Sequence, residues 1–164
     1  MTTMRMERRQ FVGGLMSFGA LALAGDAFAM ARTSGRRLKR IGIQLYTLRE
    51  VAKADPVGTL ERLAQIGYRE VELGGPPYAT MDPPILRREL DHLGLAVPSM
   101  HVQMADLEQN LDGIVRQAQI LGVRYVTLPW VNEDRRSTIA QCQQTAKVFD
   151  QFGARLRTQG LTFC

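Results

Sequence analysis

From Ile41 onward, the chain alternates short runs of apolar and β-branched residues with longer segments whose apolar positions recur at helical spacing. Each short run predicts a strand, and each longer segment predicts an amphipathic helix with one buried face. The predicted strands are residues 41–48, 68–74, 95–102, 123–130 and 161–164. Four helices are predicted between them, with apolar stripes at Val57, Leu60 and Ala64; Leu86, Leu90 and Leu93; Leu107, Leu111, Ile114, Ala118 and Leu121; and Ile139, Cys142, Ala146, Phe149 and Leu156.

Short polar motifs mark where these helices begin and end. Asp55-Pro56 and Asp82-Pro83 each combine an N-cap side chain with a proline at the first helical position. Asp106 and Gln109 have the spacing of a capping box and predict the start of the third helix. Glycine ends helices because it adopts the left-handed conformation without a steric penalty. The predicted helix ends are Gly67, Gly94, Gly122 and Gly160.

Strands that alternate with helices at this spacing indicate parallel strands joined by right-handed crossovers, so the predicted class is α/β. Two architectures share this pattern, the doubly wound open sheet and the eight-stranded barrel. A dinucleotide-binding sheet carries a glycine-rich phosphate loop after its first strand, whereas residues 46–50 read YTLRE. In Gly74-Gly75-Pro76-Pro77 the two prolines lack amide donors for a phosphate, so this segment is predicted to be a stiff loop.

The last predicted strand, residues 161–164, has no helix after it. A complete barrel needs eight strands in about 250 residues. We therefore expect a partial (β/α)8 TIM barrel of about four β/α units plus the start of strand five, from a truncated gene product or a partial sequence. Such a fragment is expected to self-associate through open strand edges and through apolar side chains shared between the barrel interior and the helix layer. These side chains are Ile43, Leu45, Val71, Leu73 and Val126.

Residues 1–29 have the pattern of a secretory signal peptide. A basic start is followed by a 14-residue apolar run, 11–24, and by small residues at Ala27-Phe28-Ala29 that fit a cleavage site. Arg8-Arg9 lies just ahead of the run, which is typical of the twin-arginine type and predicts the twin-arginine export machinery as a partner. A membrane-spanning helix needs about 20 apolar residues, so no stable membrane anchor is expected. The predicted location is periplasmic or secreted, with residues 30–40 as a basic linker.

The net charge of +5 is concentrated in the leader and the linker. Residues 1–40 hold eight basic and two acidic side chains, whereas residues 41–164 hold 13 basic and 14 acidic side chains. A protein that binds a phosphate backbone needs a basic face, so no nucleic-acid partner is expected. The two cysteines, Cys142 and Cys164, form no recognisable metal or disulfide spacing, and Cys142 is predicted to be a small buried apolar residue.

Four segments together resemble the sugar phosphate isomerase/epimerase family of the xylose isomerase-like TIM-barrel superfamily: GIQLYTLRE, DPVGTLERLAQIGYREVEL, PSMHV and GVRYVTLPW. The resemblance covers residues 41–164 and implies the N-terminal half of the barrel. It implies a site at the C-terminal ends of the strands, where a divalent metal such as Mn²⁺ or Mg²⁺ polarises a sugar while carboxylates move a proton. Family members take their metal ligands from strand five and later. The resemblance therefore implies an inactive fragment that binds no metal tightly.

Four residues lie at predicted strand ends, where a barrel would face a small carbohydrate substrate: Tyr46, Glu72, His101 and Trp130. Glu72 alternates with Val71 and Leu73, so it points into the barrel if those two face the helices. His101 is suited to donate to a sugar oxygen or to carry a proton, and Trp130 to stack on a sugar. Each also has a purely structural interpretation as a packed or locally hydrogen-bonded residue. Glu72 and His101 alone are too few for a metal site.

Two functions remain open from the sequence. One is a metal-dependent sugar, sugar-phosphate or polyol isomerase or epimerase, of which this chain is the front half. The alternative is an exported, non-catalytic carbohydrate-binding barrel domain. A DNA-repair nuclease of the same superfamily is disfavoured by the nearly neutral body and by the export signal.

Overall fold

The computed structural model describes Leu38 and residues 40–164, and residues 40–164 form one compact unit. The predicted signal peptide, 1–29, and nearly all of the predicted linker, 30–40, lie outside the described residues. The strands are β1 (Gly42–Gln44), β2 (Glu70–Leu73), β3 (Ala96–His101), β4 (Tyr125–Thr127) and β5 (Thr162–Phe163). The helices are α1 (Arg49–Ala54), α2 (Pro56–Ile66), α3 (Pro83–His92), α4 (Met104–Leu121) and α5 (Ile139–Thr158).

All five strands are parallel and lie side by side in the order β1-β2-β3-β4-β5. Neighbours along the chain are therefore neighbours in the sheet, with helices in the connections. A doubly wound sheet reverses its strand order at a switch point, whereas a barrel keeps the order of the sequence. The predicted α/β class is confirmed, and the strand order is that of a partial TIM barrel.

The first predicted strand, 41–48, extends four residues too far at its C-terminal end. β1 ends at Gln44, and Leu45–Leu48 forms a short 3-10 helix that leads into α1. Leu45 is fully buried there, so the apolar run reflects burial and not an extended backbone. The first connection consequently holds two helices, and the described chain has five helices where the sequence predicted four.

Two of the three predicted helix starts are confirmed. The Asp55 carboxylate accepts a hydrogen bond from the amide of Gly58 at 2.9 Å, and the Asp82 carboxylate accepts one from the amide of Ile85 at 3.1 Å. Each therefore satisfies an amide that the first helical turn leaves free. The four predicted glycine stops also hold, since each of them has a positive φ at or just beyond a helix end: Gly67, Gly94, Gly122 and Gly160.

The predicted capping box at Asp106 is wrong. α4 begins two residues earlier, at Met104, and no side chain caps it. The helix is interrupted further along by Asn110, which has non-helical angles of φ −146° and ψ 45°. The Asn110 side-chain oxygen accepts a hydrogen bond from the amide of Gly113 at 3.2 Å, so it caps the second part of α4.

The stripe predicted for α5 is displaced along the helix. Ile139 is 80 % exposed and Cys142 is exposed, so Cys142 is not the buried apolar residue that its sequence context predicted. Thr138 caps the helix in a capping box, and the thiol of Cys142 donates to the carbonyl of Arg136 at 3.3 Å. The first turn of α5 thus packs on the preceding loop, and the buried side chains of the helix come later, at Thr145, Phe152 and Leu156.

A single hydrophobic core lies between the sheet and the helices. It contains the five apolar residues that were expected to be shared between two faces, Ile43 at its margin and the others within it: Ile43, Leu45, Val71, Leu73 and Val126. That expectation was wrong, because the four strand residues among them share one face of the sheet and Leu45 is buried in the 3-10 helix after β1. None of the helices in residues 40–164 is long and apolar enough to cross a membrane.

Candidate functional site

A row of polar side chains occupies the other face of the sheet, the one that faces the interior of a barrel. Strand register aligns Gln44 of β1 with Glu72 of β2 and Glu72 with Ser99 of β3. It also aligns His101 of β3 with Thr127 of β4. Since parallel neighbours in register point the same way, these five side chains share one surface. We call them the inner-face network.

The Glu72 carboxylate is the centre of the inner-face network. Its Oε1 accepts a hydrogen bond from the Ser99 hydroxyl at 2.7 Å, and its Oε2 accepts one from the Gln44 amide at 3.2 Å. The Ser99 and Thr127 hydroxyl oxygens are 3.1 Å apart, which extends the network to β4. Both carboxylate oxygens thus have a partner, as a partly buried charge requires. Glu72 points away from Val71 and Leu73, as its alternation with them predicted.

His101 contacts both Glu72 and Gln44. Its Nε2 lies 3.4 Å from Glu72 Oε2 and 3.1 Å from Gln44 Nε2. When Nε2 carries a proton, the imidazole donates to the carboxylate; when Nε2 is free, it accepts from the Gln44 amide. The His101 and Glu72 side chains are 15 % and 28 % exposed, so both are open to a small molecule. The pair is therefore able to exchange a proton with a ligand hydroxyl.

An irregularity in β3 makes this arrangement possible. Glu70 pairs with Ala96, but Glu72 pairs with Ser99, so β3 contains one extra residue over this stretch. In a regular ladder Pro98 would lie opposite Glu72 and offer no hydrogen-bond donor. The bulge brings the Ser99 hydroxyl to that position instead. It also turns His101 to the same face as Glu72.

Tyr46 lies over the loop that follows β2. A Cβ atom on Gly74 would come within 3.2 Å of the Tyr46 Cβ and 3.4 Å of His101 Nδ1, so a side chain there would require these neighbours to shift by a few tenths of an ångström. The Arg49 guanidinium lies over the Tyr46 ring, 4.6 Å from its centroid. Tyr46 is 50 % exposed and borders the inner-face network through Gly74.

Trp130 stands apart from the other three predicted site residues. It follows β4 in a loop, is 62 % exposed, and has the Arg136 guanidinium over its ring at 4.9 Å from the centroid. The structure thus brings Glu72 and His101 into direct contact, with Tyr46 beside them. Trp130 is at the same end of the sheet, where it packs against Arg136.

Sequence reasoning missed three members of the inner-face network: Gln44, Ser99 and Thr127. The available signal was alternation, because each of them follows or precedes a residue of the helix side, such as Met100 or Val126. A polar residue at such a position on neighbouring strands predicts a shared polar face. The bulge in β3 interrupts strict alternation relative to β2, so alternation alone does not align Ser99 with Glu72.

Tyr78 anchors the loop after β2 to the start of α2. Its ring is fully buried, and its hydroxyl donates to the carbonyl of Pro56 at the start of α2, at 2.9 Å. Burial raises the pKa of Tyr78 to about 12; a hydrogen bond with Thr59 lowers it and the charge of Asp55 raises it. The loop that carries Gly74 is thereby tied to the helix layer.

This buried hydroxyl predicts a loss of stability in strong alkali. The ordinary pKa of 10.0 applies to the unfolded chain and the value of about 12 to the folded one, so only the unfolded state releases the proton between them. The free energy of unfolding should be unaffected below pH 10 and should then fall by roughly 2 to 3 kcal/mol up to about pH 12. In Tyr78→Phe this part of the fall should be absent. Urea titrations at both ends of the range, with the partly exposed Tyr125→Phe as control, measure it.

Residues 40–164 contain no complete divalent-metal site. Within the described part of the chain, no group of three or more His, Cys, Asp or Glu side chains is placed to hold a metal ion. Glu72 and His101 offer two ligands, and the other members of the inner-face network are an amide and two hydroxyls. A hard cation such as Mg²⁺ or Mn²⁺ needs more oxygen ligands than this pair supplies.

No protein-family model and no curated protein sequence matches the chain. Solved structures do match its fold. A sugar phosphate isomerase/epimerase from Parabacteroides distasonis superimposes with a TM-score of 0.58 at 21 % identity, over 79 % of this chain and 51 % of that one. An AP endonuclease of family 2 from Brucella melitensis gives 0.55 at 16 % identity, over 77 % and 54 %. The IolI protein with a bound zinc atom gives 0.55 at 14 % identity, over 76 % and 50 %.

At these identities the likeness shows the fold, and the fold is that of a partial TIM barrel. The chain spans about half the length of each of these structures. One of them is a sugar phosphate isomerase/epimerase, the kind of protein that the sequence segments resemble.

Proposed function

We propose that residues 41–164 are the N-terminal half of a sugar or polyol isomerase or epimerase. The observation that carries the proposal is the inner-face network, in which a carboxylate and an imidazole 3.4 Å apart face the barrel interior at the C-terminal strand ends. TIM-barrel enzymes place their chemistry at this end. The row supplies hydrogen-bond donors and acceptors side by side, as hydroxyl, amide and carboxylate groups. Successive sugar hydroxyls can bind to such a row because each of them both donates and accepts.

In this proposal Glu72 and His101 bind sugar hydroxyls and hold or accept the proton that moves during isomerisation. The divalent metal, Mn²⁺, Mg²⁺ or a similar ion, is supplied with ligands by segments outside this chain, since the residues described here do not form its site. The chain alone is then inactive, and its partner is a small carbohydrate.

A specific observation favours the alternative, an exported carbohydrate-binding barrel domain without catalysis. Tyr46 and Trp130 are both half-exposed or more at the same end of the sheet, and each is backed by an arginine. Exposed aromatic rings of this kind bind sugars by stacking and need no metal. Nuclease function, suggested by the likeness to an AP endonuclease, is disfavoured because residues 41–164 hold no excess of basic side chains.

The decisive experiment extends the chain with the in-frame sequence that follows Cys164 in the genome. The extended protein, loaded with Mn²⁺, is incubated with D-fructose and other ketoses and aldoses in deuterium oxide. We expect deuterium to enter the carbon next to the carbonyl, and the original chain to catalyse no exchange. An extended, folded and metal-loaded protein that binds sugars without exchange would support the binding domain instead. Absence of any in-frame continuation would contradict the half-barrel proposal.

Export is a separate proposal that rests on residues 1–29. Arg8-Arg9 before the apolar run is the supporting pattern, and the periplasm or the exterior is the proposed location. Replacing both arginines with lysine should retain the protein in the cytoplasm. Export that survives this change, measured by fractionation, would rule out the twin-arginine route.

A further inference from the structure

The loop between β4 and α5 is held to two helices at one residue. The Arg135 guanidinium contacts both carboxylate oxygens of Glu108 on α4, at 2.9 and 3.2 Å. The buried hydroxyl of Thr145 on α5 donates to the Arg135 carbonyl at 2.8 Å. A forked arginine–carboxylate pair joins Arg135 to α4, and a buried hydrogen bond joins it to α5. The backbone at Arg135 is therefore held in place, which limits the positions open to the next residue.

That next residue, Arg136, is held at three places of its own. Its carbonyl accepts from the thiol of Cys142 at 3.3 Å, and its Nε donates to the carbonyl of Val131 at 2.8 Å. Its guanidinium lies over the ring of Trp130, the residue before Val131. Arg136 thus clamps the backbone just after Trp130 and covers part of the indole. None of these three contacts belongs to the inner-face network.

We propose that Arg136 is a positioning residue that holds the Trp130 indole as a stacking surface for a sugar at the mouth of the barrel; this rests on the proposed carbohydrate function. An arginine over one face of an indole leaves the opposite face for a ligand, and 62 % of Trp130 is exposed. Holding the ring in place before binding removes the entropy cost of ordering it afterwards.

The position of Trp130 along the chain suits this role. It follows Thr127, the β4 member of the inner-face network, by three residues, which is a reach of about 11 Å at most. The indole therefore lies at the same end of the sheet as Glu72 and His101, and in this proposal one monosaccharide contacts all three. The polar row would bind the hydroxyls of the sugar, and the ring would cover its C–H face.

The protein contains a single tryptophan, so its fluorescence reports Trp130 alone. In the full chain, Arg136→Gln should raise the bimolecular rate constant for acrylamide quenching by about twofold, because one face of the ring loses its cover. The fluorescence anisotropy of Arg136→Gln should be lower, because the indole is less restrained. Arg124→Gln is the matched control, since Arg124 lies over the ring of Tyr125 at 5.4 Å and should leave Trp130 unchanged.

D-fructose is the probe for the sugar part of the proposal. It should protect Trp130 of the parent chain from acrylamide, and Arg136→Gln should weaken its apparent affinity by about two- to fivefold, the range expected for an exposed cation–π contact. Arg136→Lys keeps the charge but lacks the Nε donor to Val131, so its apparent affinity for D-fructose should lie between those of the unsubstituted chain and Arg136→Gln. It replaces Arg136→Gln if that variant does not fold.

Two results would overturn the inference, and they are distinct. Quenching and anisotropy that are unchanged in both folded Arg136 variants would show that Arg136 does not position Trp130, whatever the protein binds. The second result is that the anisotropy falls in the Arg136 variants but D-fructose does not protect Trp130 in the unsubstituted chain. Arg136 would then stabilise the loop only, and Trp130 would not stack on a sugar. In that second case the isotope-exchange experiment still decides the proposed enzymatic function independently.

Discussion

Replacing Glu72 with leucine in the extended, active protein is expected to lower kcat/KM for the sugar by about 10²- to 10⁴-fold, the range for loss of a group that moves a proton. Leucine is similar in size but accepts no hydrogen bond. Ser99 and Gln44 would lose the carboxylate that they now share, and His101 would lose its charged neighbour. Each donor left without a partner costs about 1 to 3 kcal/mol.

Glu70→Gln provides a matched control for this change. Glu70 lies on the same strand and the same face as Glu72, two residues earlier, and its carboxylate pairs with Arg40 at 3.5 Å. Since that pair is long and its arginine is exposed, its loss should change kcat/KM by less than about threefold. Equal losses in the two variants, with unchanged thermal stability, would show that Glu72 has no special place in the site.

Glu72→Gln separates the two contributions of this side chain. The glutamine oxygen can still accept from Ser99, but its amide no longer takes up a proton. We expect Glu72→Gln to keep most of the sugar affinity and to lose most of the turnover. If the protein is only a carbohydrate-binding domain, Glu72→Gln should be nearly silent and Glu72→Leu should weaken binding alone. The KM-against-kcat split therefore distinguishes the two proposed functions.

The parts of the fold that local patterns determine could be predicted from the sequence. Asp55 and Asp82 act within one turn of their own helix, and the glycine stops require only their own backbone angles. The predicted side of Glu72 also depends only on its two neighbours. Asp106 has equally good local chemistry, but α4 begins at Met104 without a side-chain cap. Local signals thus predict the existence of an element better than its first residue.

The candidate site required information that no local pattern contains. The register shift in β3 decides which residue faces Glu72, and it depends on how β2 and β3 pair. The bond between Arg135 and Glu108 joins residues 27 apart in the sequence, and the cover of Trp130 by Arg136 depends on that fixed loop. Tyr46, Glu72, His101 and Trp130 could be predicted because each lies near the end of a predicted strand. The contact between Glu72 and His101 depends on how the strands lie side by side.

The isolated chain is expected to self-associate, and the structure changes the reason for it. The inner face of the sheet is polar, so burial of apolar surface between two such faces is a weak driving force. The edges are the stronger cause. Within residues 40–164, β1 pairs with β2 alone and β5 with β4 alone, which leaves backbone donors and acceptors on both outer strands open to another chain. Exposed apolar residues lie close to the β1 edge, at Ile41 and Ile66.

Sedimentation and light scattering should therefore show dimers or larger species at micromolar concentration. Thr162 is an exposed residue of β5, and a lysine there places a charge at the edge, so Thr162→Lys should shift the distribution toward monomer. Gln143→Lys adds the same charge on an exposed position of α5, away from the edge, and should have no effect. Supplying the C-terminal half of a complete barrel should cover both edges and give a compact species that melts cooperatively. A monodisperse monomer with a sharp thermal transition and no binding of a hydrophobic dye would mean that the edges are not free in solution, and that the chain is a complete small α/β domain.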